Sequence, residues 1–332
     1  MTPRIDRFGT ITTELGECPL WHAGEACLWL MDCRRGTIWR LGPDGRETRI
    51  VDVPPPAGSF AFDADGGLVV ALKASIVLVD PADGARIELA RIGDCHPNLR
   101  LNDGTALADG SFVVGTMHVP REPGVPPLGG LFRLDADGRL RRLDAGFGIV
   151  NGPRVGPHDG RLYVCDSAAS LIVSYAFDAD GGLVDRRTFV DTSAFGSSPD
   201  GCCFDTQGGL WTALVRGGAL ARLAPDGTLT ARIDLPVAHP SSLCFGGPAM
   251  DELYVTSIRD SGRLRADGPL DGAVLRVRGT GYRGYASPRC RLARRRGGAG
   301  SAPVGGDPRV ADEGGADERG ADERGAGPGG VA

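Results

Sequence analysis

Residues 26–45 have the sequence ACLWLMDCRRGTIWRLGPDG, which contains the repeating unit of this chain. It contains two short runs of aliphatic and aromatic residues, ACLWLMD and GTIWRL, and it closes on Asp44-Gly45. Asp-Gly next to such runs is a strong hairpin signal, because both residues tolerate a positive φ. The stretch therefore predicts a strand–turn–strand unit.

A unit of this kind occurs six times along the chain, counting the first copy. The first runs of the six copies are residues 26–32, 67–71, 111–115, 161–165, 209–213 and 252–256. The second runs are residues 36–41, 76–79, 130–134, 171–175, 219–223 and 273–277. The copies lie roughly 40–50 residues apart, which is the period of a four-stranded propeller blade. We predict an all-β fold, a six-bladed β-propeller; a β-sandwich or two small β domains are the alternatives.

Composition excludes several classes of protein. The 332 residues carry a net charge of −5, whereas an electrostatic nucleic-acid binder is basic. No run of about 18 apolar residues predicts a membrane span, and the first residues lack the pattern of a signal peptide. Nine cysteines without a C-x-x-C spacing predict neither a disulfide framework nor a zinc finger. We expect a cytoplasmic protein with no nucleic-acid or membrane partner, and the oligomeric state stays open.

The C-terminal segment differs from the repeats. Residues 291–332 are rich in Gly, Ala, Arg, Asp and Glu and have almost no apolar bulk. Such a segment cannot offset the entropy of ordering, so we predict a disordered tail. The predicted division is a propeller over residues 1–290 and a tail over residues 291–332.

One position of the repeat carries polar side chains around the predicted ring. The residues at the start of each inner strand are Glu17, Ser59, Asn102, Asn151, Asp200 and Ser241 or Ser242. Inner strands line the central channel of a propeller, so these side chains should meet at one end. Oxygen donors without Cys or His favour Ca²⁺, Mg²⁺ or Mn²⁺, and Zn²⁺ is tolerated. Each motif alone, such as Asn151-Gly152, is also a common turn sequence.

Arg100 adds a cation to this set. It lies two residues before Asn102, so both side chains should be on the same side of a strand. At the mouth of the channel its guanidinium could bind a substrate oxygen or an anion. A surface arginine with no such role is the alternative.

These residues resemble the regucalcin–gluconolactonase family of metal-dependent six-bladed propellers. The matching stretches, which together cover roughly residues 10–290, are LGECPLW (15–21), RLNDG (100–104), GTM (115–117), Asn151-Gly152, LYVCDS (162–167), PDG (199–201), CFGG (244–247) and LYVT (253–256). The resemblance implies one divalent ion held by Glu17, Asn151 and Asp200. It also implies that Arg100 and Asn102 bind the hydroxyls of a sugar lactone, which is opened to the aldonic acid.

Two positions depart from the family pattern. Pro120 stands where some members have a substrate-contacting Glu, with His118 and Glu122 nearby, and Cys18 replaces the usual Gly or Ser. Both departures bear on which sugar is bound. The family normally ends near Pro288-Arg289, so the tail is an addition.

The resemblance leads to a hypothesis for the reaction. The ion, whether Ca²⁺, Zn²⁺, Mn²⁺ or Mg²⁺, would polarise the lactone carbonyl and activate a water, while Asp200 takes the proton. A non-enzymatic Ca²⁺-binding regulator is the main alternative, because the same ion site would serve it; another ester hydrolase and an interaction scaffold also stay open. The five histidines show no metal-ligand spacing, and no G-x-S-x-G elbow indicates a serine hydrolase.

Overall fold

The structure is a computed structural model that describes residues 2–93 and 96–293. These residues form strands, turns and one short 3-10 helix, Thr192–Phe195, and contain no α-helix. No helix in this part of the chain is long and apolar enough to cross a membrane. The predicted disordered tail lies outside the described residues from position 294 onwards.

The strands form six four-stranded antiparallel sheets. The chain begins with β1 (Arg4–Arg7). Blade 1 consists of β2 (Gly16–His22), β3 (Cys27–Asp32), β4 (Thr37–Leu41) and β5 (Glu47–Asp52). Blade 2 consists of β6 (Ser59–Phe62), β7 (Leu68–Ala71), β8 (Ser75–Val79) and β9 (Arg86–Arg91). Blade 3 consists of β10 (Leu99–Ala106), β11 (Phe112–His118), β12 (Gly129–Leu134) and β13 (Leu140–Phe147).

The remaining three blades follow the same order from the inner strand outwards. Blade 4 consists of β14 (Val150–Val155), β15 (Leu162–Asp166), β16 (Leu171–Phe177) and β17 (Leu183–Asp191). Blade 5 consists of β18 (Pro199–Phe204), β19 (Leu210–Leu214), β20 (Ala219–Leu223) and β21 (Leu229–Asp234). Blade 6 consists of β22 (Pro240–Gly246), β23 (Glu252–Ser257), β24 (Leu275–Arg278) and β1.

The predicted six-bladed β-propeller is confirmed. The six first runs form the second strands of the blades, and the six second runs lie on the third strands. The Asp-Gly turns join third strands to fourth strands: in Asp44-Gly45 the glycine has φ +80°, and the Asp44 carboxylate accepts the Arg46 N–H at 3.0 Å. The second strands are buried on both faces, as in β7 and β15, so the core lies between neighbouring blades.

Strand β1 closes the ring. It pairs antiparallel with β24, with Arg4 opposite Arg278 and Arg7 opposite Leu275, and supplies the outermost strand of blade 6. An ion pair between Arg278 and Asp6 adds to this contact. The two ends of the propeller sequence are therefore held in one sheet, which fixes blade 1 against blade 6.

A β-bulge follows the start of most inner strands. The register shifts between Glu17 and Leu20 in β2, and between Asn151 and Arg154 in β14. The same shift occurs in β10, β18 and β22. A bulge re-aims a side chain and often needs a residue at positive φ. Gly152 fills this role with φ +51°, whereas Cys18, one of the departures from the family pattern, does so with φ +48°.

The first residues of the predicted tail pack on the propeller. The Arg291 N–H donates to Gly110 O at 2.8 Å, and the Ala293 N–H donates to Ala136 O at 2.7 Å. Leu292 packs against the core between blades 2 and 3. Ordered contacts with blade 3 therefore extend three residues past the predicted boundary at residue 290.

Candidate active site

The structure brings the five predicted site residues into one pocket at the end of the central channel. The cavity has a volume of about 130 Å³. Its polar lining includes Glu17, Arg100, Asn102, Asn151, Ser167, Ser198, Asp200, Arg216, Ser261 and Arg263. Its apolar lining includes Leu15, Met117, Ile149, Val215, Ile258 and Leu264. Side chains from blades 1, 3, 4 and 5 thus meet as the repeat comparison predicted.

A chain of hydrogen bonds orders one side of the pocket. The Arg100 guanidinium donates to Asn102 Oδ1 at 2.8 Å, and Asn102 Nδ2 donates to Asn151 Oδ1 at 2.6 Å. Asn151 Nδ2 then donates to Ser167 Oγ at 2.8 Å, and Ser167 Oγ donates to Pro199 O. Each amide is fixed at both ends, so Asn151 Oδ1 keeps one orientation with a second lone pair free.

Two buried carboxylates, Glu17 and Asp200, line the same pocket and interact electrostatically. Burial raises the pKa of Asp200 well above its usual value, and the charge of Asp103 raises it further. Burial also raises the pKa of Glu17, with further contributions from Asp200 and Asp103, while Arg100 partly offsets them. Protein groups alone do not neutralise this acidic cluster, so it favours a proton or a cation between the two carboxylates.

Asp103 is a third carboxylate that the repeat comparison missed. It is 4 % exposed and lies behind the pocket. Its two oxygens accept the backbone N–H groups of Gly104 and Gly152, each at 2.8 Å. The carboxylate therefore ties the bulge of β10 to the bulge of β14. Asp103 follows Asn102 directly in the Asn102-Asp103-Gly104 motif, but it lies one residue after the repeat position that carries the other polar side chains.

The pocket residues fit a divalent cation. Asp200 Oδ1 is buried without a hydrogen-bond partner in the described chain, although a buried carboxylate oxygen is normally satisfied. Glu17, Asn151 and Asp200 present only oxygen atoms, which are the donors that hard divalent ions prefer. An ion held there would satisfy Asp200 Oδ1 and balance both carboxylates.

The serines at the same repeat position do not extend this donor set. Ser59 Oγ donates to Asn102 O at 2.9 Å, and Ser241 Oγ donates to Gly16 O. Both are fully buried and join neighbouring inner strands. Ser242 Oγ is also buried and has no partner among the described residues, but it does not line the pocket.

A second, larger cavity opens at the other end of the inner strands. Its volume is about 220 Å³, and its walls are mainly apolar, including Leu107, Leu243 and Phe245. Arg154 is the charged residue in its lining, which includes no Asp or Glu. Because it lacks paired acidic groups, this cavity is the poorer candidate for hydrolytic chemistry despite its size.

Two of the histidines form a cluster that the sequence analysis did not identify. His96, His118 and Glu122 place possible ligand atoms within 4.8 Å of one another, and the side chain of His118 is fully buried. Each ring accepts a backbone N–H at Nδ1, from Asn98 to His96 and from Leu128 to His118. The Nε2 atoms of His96 and His118 lie 3.8 Å and 3.6 Å from the Glu122 carboxylate, too far for hydrogen bonds, and His118 Nε2 is buried without a partner in the described chain. Glu122 Oε1 instead accepts an N–H of the Asn98 side-chain amide at 3.0 Å, and we call this hydrogen bond, with the two imidazoles beside it, the Glu122 clamp.

The clamp holds the loop between β11 and β12 beside the pocket residue Met117. Glu122 itself does not line the pocket. We expect Glu122→Gln to bind the same number of Zn²⁺ ions as the wild type in a titration followed by calorimetry. Hydrogen exchange in residues 119–128 should become faster, because the charge-assisted hydrogen bond from Asn98 to the Glu122 carboxylate is replaced by a weaker neutral one. Loss of one bound ion in Glu122→Gln would instead identify the cluster as a metal site.

Comparisons with known proteins agree with this geometry. Residues 15–259 match the family model described as SMP-30/Gluconolactonase/LRE-like region. The chain is 33% identical to 6-deoxy-6-sulfogluconolactonase of Pseudomonas putida over 80% of its length and 91% of the relative. It is 34% identical to pentonolactonase XacC of Haloferax volcanii over 82% of its length and 94% of the relative.

A solved structure extends the likeness to the whole propeller. The calcium-binding protein regucalcin from Agrobacterium tumefaciens superposes with a TM-score of 0.77 at 26% identity, covering 86% of this chain and 97% of that one. The resemblance drawn from the motifs is thereby confirmed. The chain belongs to the SMP-30/gluconolactonase/LRE-like family of six-bladed propellers, in which lactone hydrolysis is an established type of activity.

Proposed function

We propose that this protein hydrolyses a sugar aldonolactone to the aldonic acid, with a divalent cation held by Glu17, Asn151 and Asp200. The observation that carries the proposal is the pair of carboxylates with raised pKa values, one of which has an unpartnered buried oxygen. A family with named lactonases supports the same reaction. The cation is Ca²⁺, Zn²⁺, Mn²⁺ or Mg²⁺.

The chain supplies the proton transfers. When bound, a divalent ion supplies Lewis-acid polarisation of a carbonyl oxygen. Asp200 takes the proton of the attacking water as a bond forms to the lactone carbonyl carbon. The bond from that carbon to the ring oxygen then breaks, and Asp200 returns the proton to this oxygen. The products are a carboxylic acid and a hydroxyl group.

Arg100 and Asn102 position the substrate. Arg100 carries donors on a planar guanidinium fixed by Asn102 and by the carbonyl of Leu101. Its remaining N–H groups would donate to sugar hydroxyls. The cavity of about 130 Å³ suits one small ring, since a cavity of about 150 Å³ holds benzene. Its open side leaves room for substituents.

The test is hydrolysis of a panel of aldonolactones by metal-stripped protein, followed by acid release at constant pH. Glucono-, galactono-, arabinono-, xylono- and fuconolactone are compared with Ca²⁺, Mn²⁺ and Zn²⁺ added singly, and the spontaneous rate is subtracted. Metal-dependent turnover of at least one lactone supports the proposal. The proposal is contradicted if no lactone is hydrolysed above the spontaneous rate with any of the three metals.

Glu17→Gln should weaken metal binding more than it slows the loaded enzyme. The substitution removes a charge but keeps an oxygen donor, so we expect the metal Kd to rise by about 10- to 100-fold. At saturating metal, kcat should stay within about tenfold of the wild type. The metal concentration giving half-maximal activity measures the shift. An unchanged metal affinity would remove Glu17 from the ligand set.

A Ca²⁺-binding protein without enzymatic activity is the second candidate. Similarity to the solved calcium-binding regucalcin favours it, because the same three ligands would serve both functions. Ca²⁺ binding without turnover of any lactone would support this candidate over the lactonase.

A further inference from the structure

Two arginines at the open side of the pocket have no role in the reaction described above. Arg216 lies on the turn between β19 and β20, and Arg263 lies on the loop between β23 and β24. Both line the pocket and are exposed. In the described chain, neither guanidinium has a hydrogen bond or an ion pair. Each therefore presents a full set of donors to whatever enters.

The nearby acidic groups do not neutralise these two arginines. Glu14, adjacent to the pocket residue Leu15, pairs with Arg34 at 3.4 Å and with Arg35 at 3.1 Å. Asp260, on the same loop as Arg263, pairs with Arg265 at 4.0 Å. The carboxylates inside the pocket, Glu17 and Asp200, would be balanced by the divalent cation. The open side of the pocket thus has a positive charge in a protein whose net charge is −5.

The two arginines lie at a different end of the pocket from the proposed metal ligands. The proposed ligands and the Arg100–Asn102 pair lie on the inner strands, whereas Arg216 and Arg263 lie on loops of the adjacent blades 5 and 6. If the lactone ring binds at the inner strands, its exocyclic substituent would point towards the open side of the pocket, where the two arginines lie. Guanidinium forks match the oxygen geometry of carboxylate, sulfonate and phosphate groups.

We propose that Arg216 and Arg263 bind an anionic group of the substrate, so that the preferred substrate is an aldonolactone with an anion at its exocyclic end. This inference rests on the proposed lactonase function and names its substrate class. Neutral aldonolactones lack the group that these two arginines recognise, and therefore react with lower kcat/KM.

The test compares gluconolactone with its counterparts that carry a carboxylate, a sulfonate or a phosphate at carbon 6. For each protein the readout is the ratio of kcat/KM for the anionic lactone to that for the neutral one. In the wild type we expect a ratio of about tenfold or more for at least one anion, decreasing with added salt. In the double variant Arg216→Gln/Arg263→Gln the ratio should fall to about one.

Arg86→Gln is the matched control. Arg86 is also exposed and unpaired among the described residues, but it lies on the outer strand β9. It is compared with the single variants Arg216→Gln and Arg263→Gln, which change the net charge by the same one unit and should each lower the ratio, whereas Arg86→Gln should leave it unchanged. A ratio near one in the wild type, or a high ratio that survives the double variant, overturns the inference while the lactonase function stands. If no lactone is hydrolysed, both the inference and the proposed function fail.

Discussion

Replacing Asp200 by alanine should lower kcat/KM for a lactone by about 10²- to 10⁴-fold, the usual contribution of a general acid–base group. The loss should persist at saturating metal, because the proton acceptor itself is missing. The variant should also bind the divalent ion more weakly, since it has lost a carboxylate ligand. Steady-state kinetics over a range of metal concentrations measure both effects. Activity above a few per cent of the wild type would contradict the assignment of Asp200.

Removing the charge of Asp200 should stabilise the metal-free protein, although it abolishes activity. Burial and Asp103 raise the pKa of Asp200 above 3.8 in the folded state, so ionisation of this carboxyl opposes folding. This cost is absent at low pH and appears as the pH rises above the unfolded pKa. The metal-free variant Asp200→Asn should therefore melt at a higher temperature than the metal-free wild type at pH 7, with the difference shrinking towards pH 4. A melting temperature of Asp200→Asn below that of the wild type at pH 7 would contradict this prediction. It would also indicate that substitutions at this position reduce activity by destabilising the fold.

Breaking the buried ion pair of blade 5 should destabilise the propeller by about 3–5 kcal/mol. Asp205 is fully buried and accepts the Arg222 Nε–H at 2.7 Å and the Trp211 indole N–H at 2.9 Å. Arg222 also stacks over the Tyr282 ring, with its Cζ 4.1 Å from the centroid. Asp205→Asn leaves the buried guanidinium without its counter-charge. Urea denaturation monitored by tryptophan fluorescence measures the loss.

The outer strand of the same blade offers a matched control. Arg232 and Asp234 form an ion pair on β21, with the Asp234 side chain 81% exposed. Asp234→Asn should change the free energy of unfolding by less than about 1 kcal/mol, because exposed pairs contribute little. In a double-mutant cycle, Asp205→Asn with Arg222→Met should cost less than the sum of the single changes. Equal effects of Asp205→Asn and Asp234→Asn would contradict the account of the buried pair.

The repeats made the fold predictable, but the sequence did not predict how the ring closes. Each blade repeats the same burial pattern on its second and third strands, and this pattern is visible along the sequence. Strand β1 has only the residues RIDR, without apolar alternation, and pairs with β24 from the other end of the propeller. Such a long-range pairing leaves no local signal that periodicity could detect.

The site was predictable where the inner strands carry it. Glu17, Asn151 and Asp200 lie at the bulges in the inner strands of blades 1, 4 and 5, so one repeat position located all three. Arg216, Arg263 and the cluster around Glu122 lie on loops that differ in length from blade to blade. The residues that these side chains contact depend on how the loops fold over the channel. An alignment of the repeats does not predict that folding.

On the proposed function, one divalent ion at Glu17, Asn151 and Asp200 is required for lactone hydrolysis. The most direct measurement titrates Ca²⁺, Mn²⁺ or Zn²⁺ into metal-stripped protein and follows heat and turnover in parallel. We expect one ion per chain and turnover rising in proportion to occupancy; in Asp200→Ala, binding should be weaker and turnover should be lost at every occupancy. Full turnover in the metal-stripped protein, or unchanged metal binding in Asp200→Ala, would contradict it.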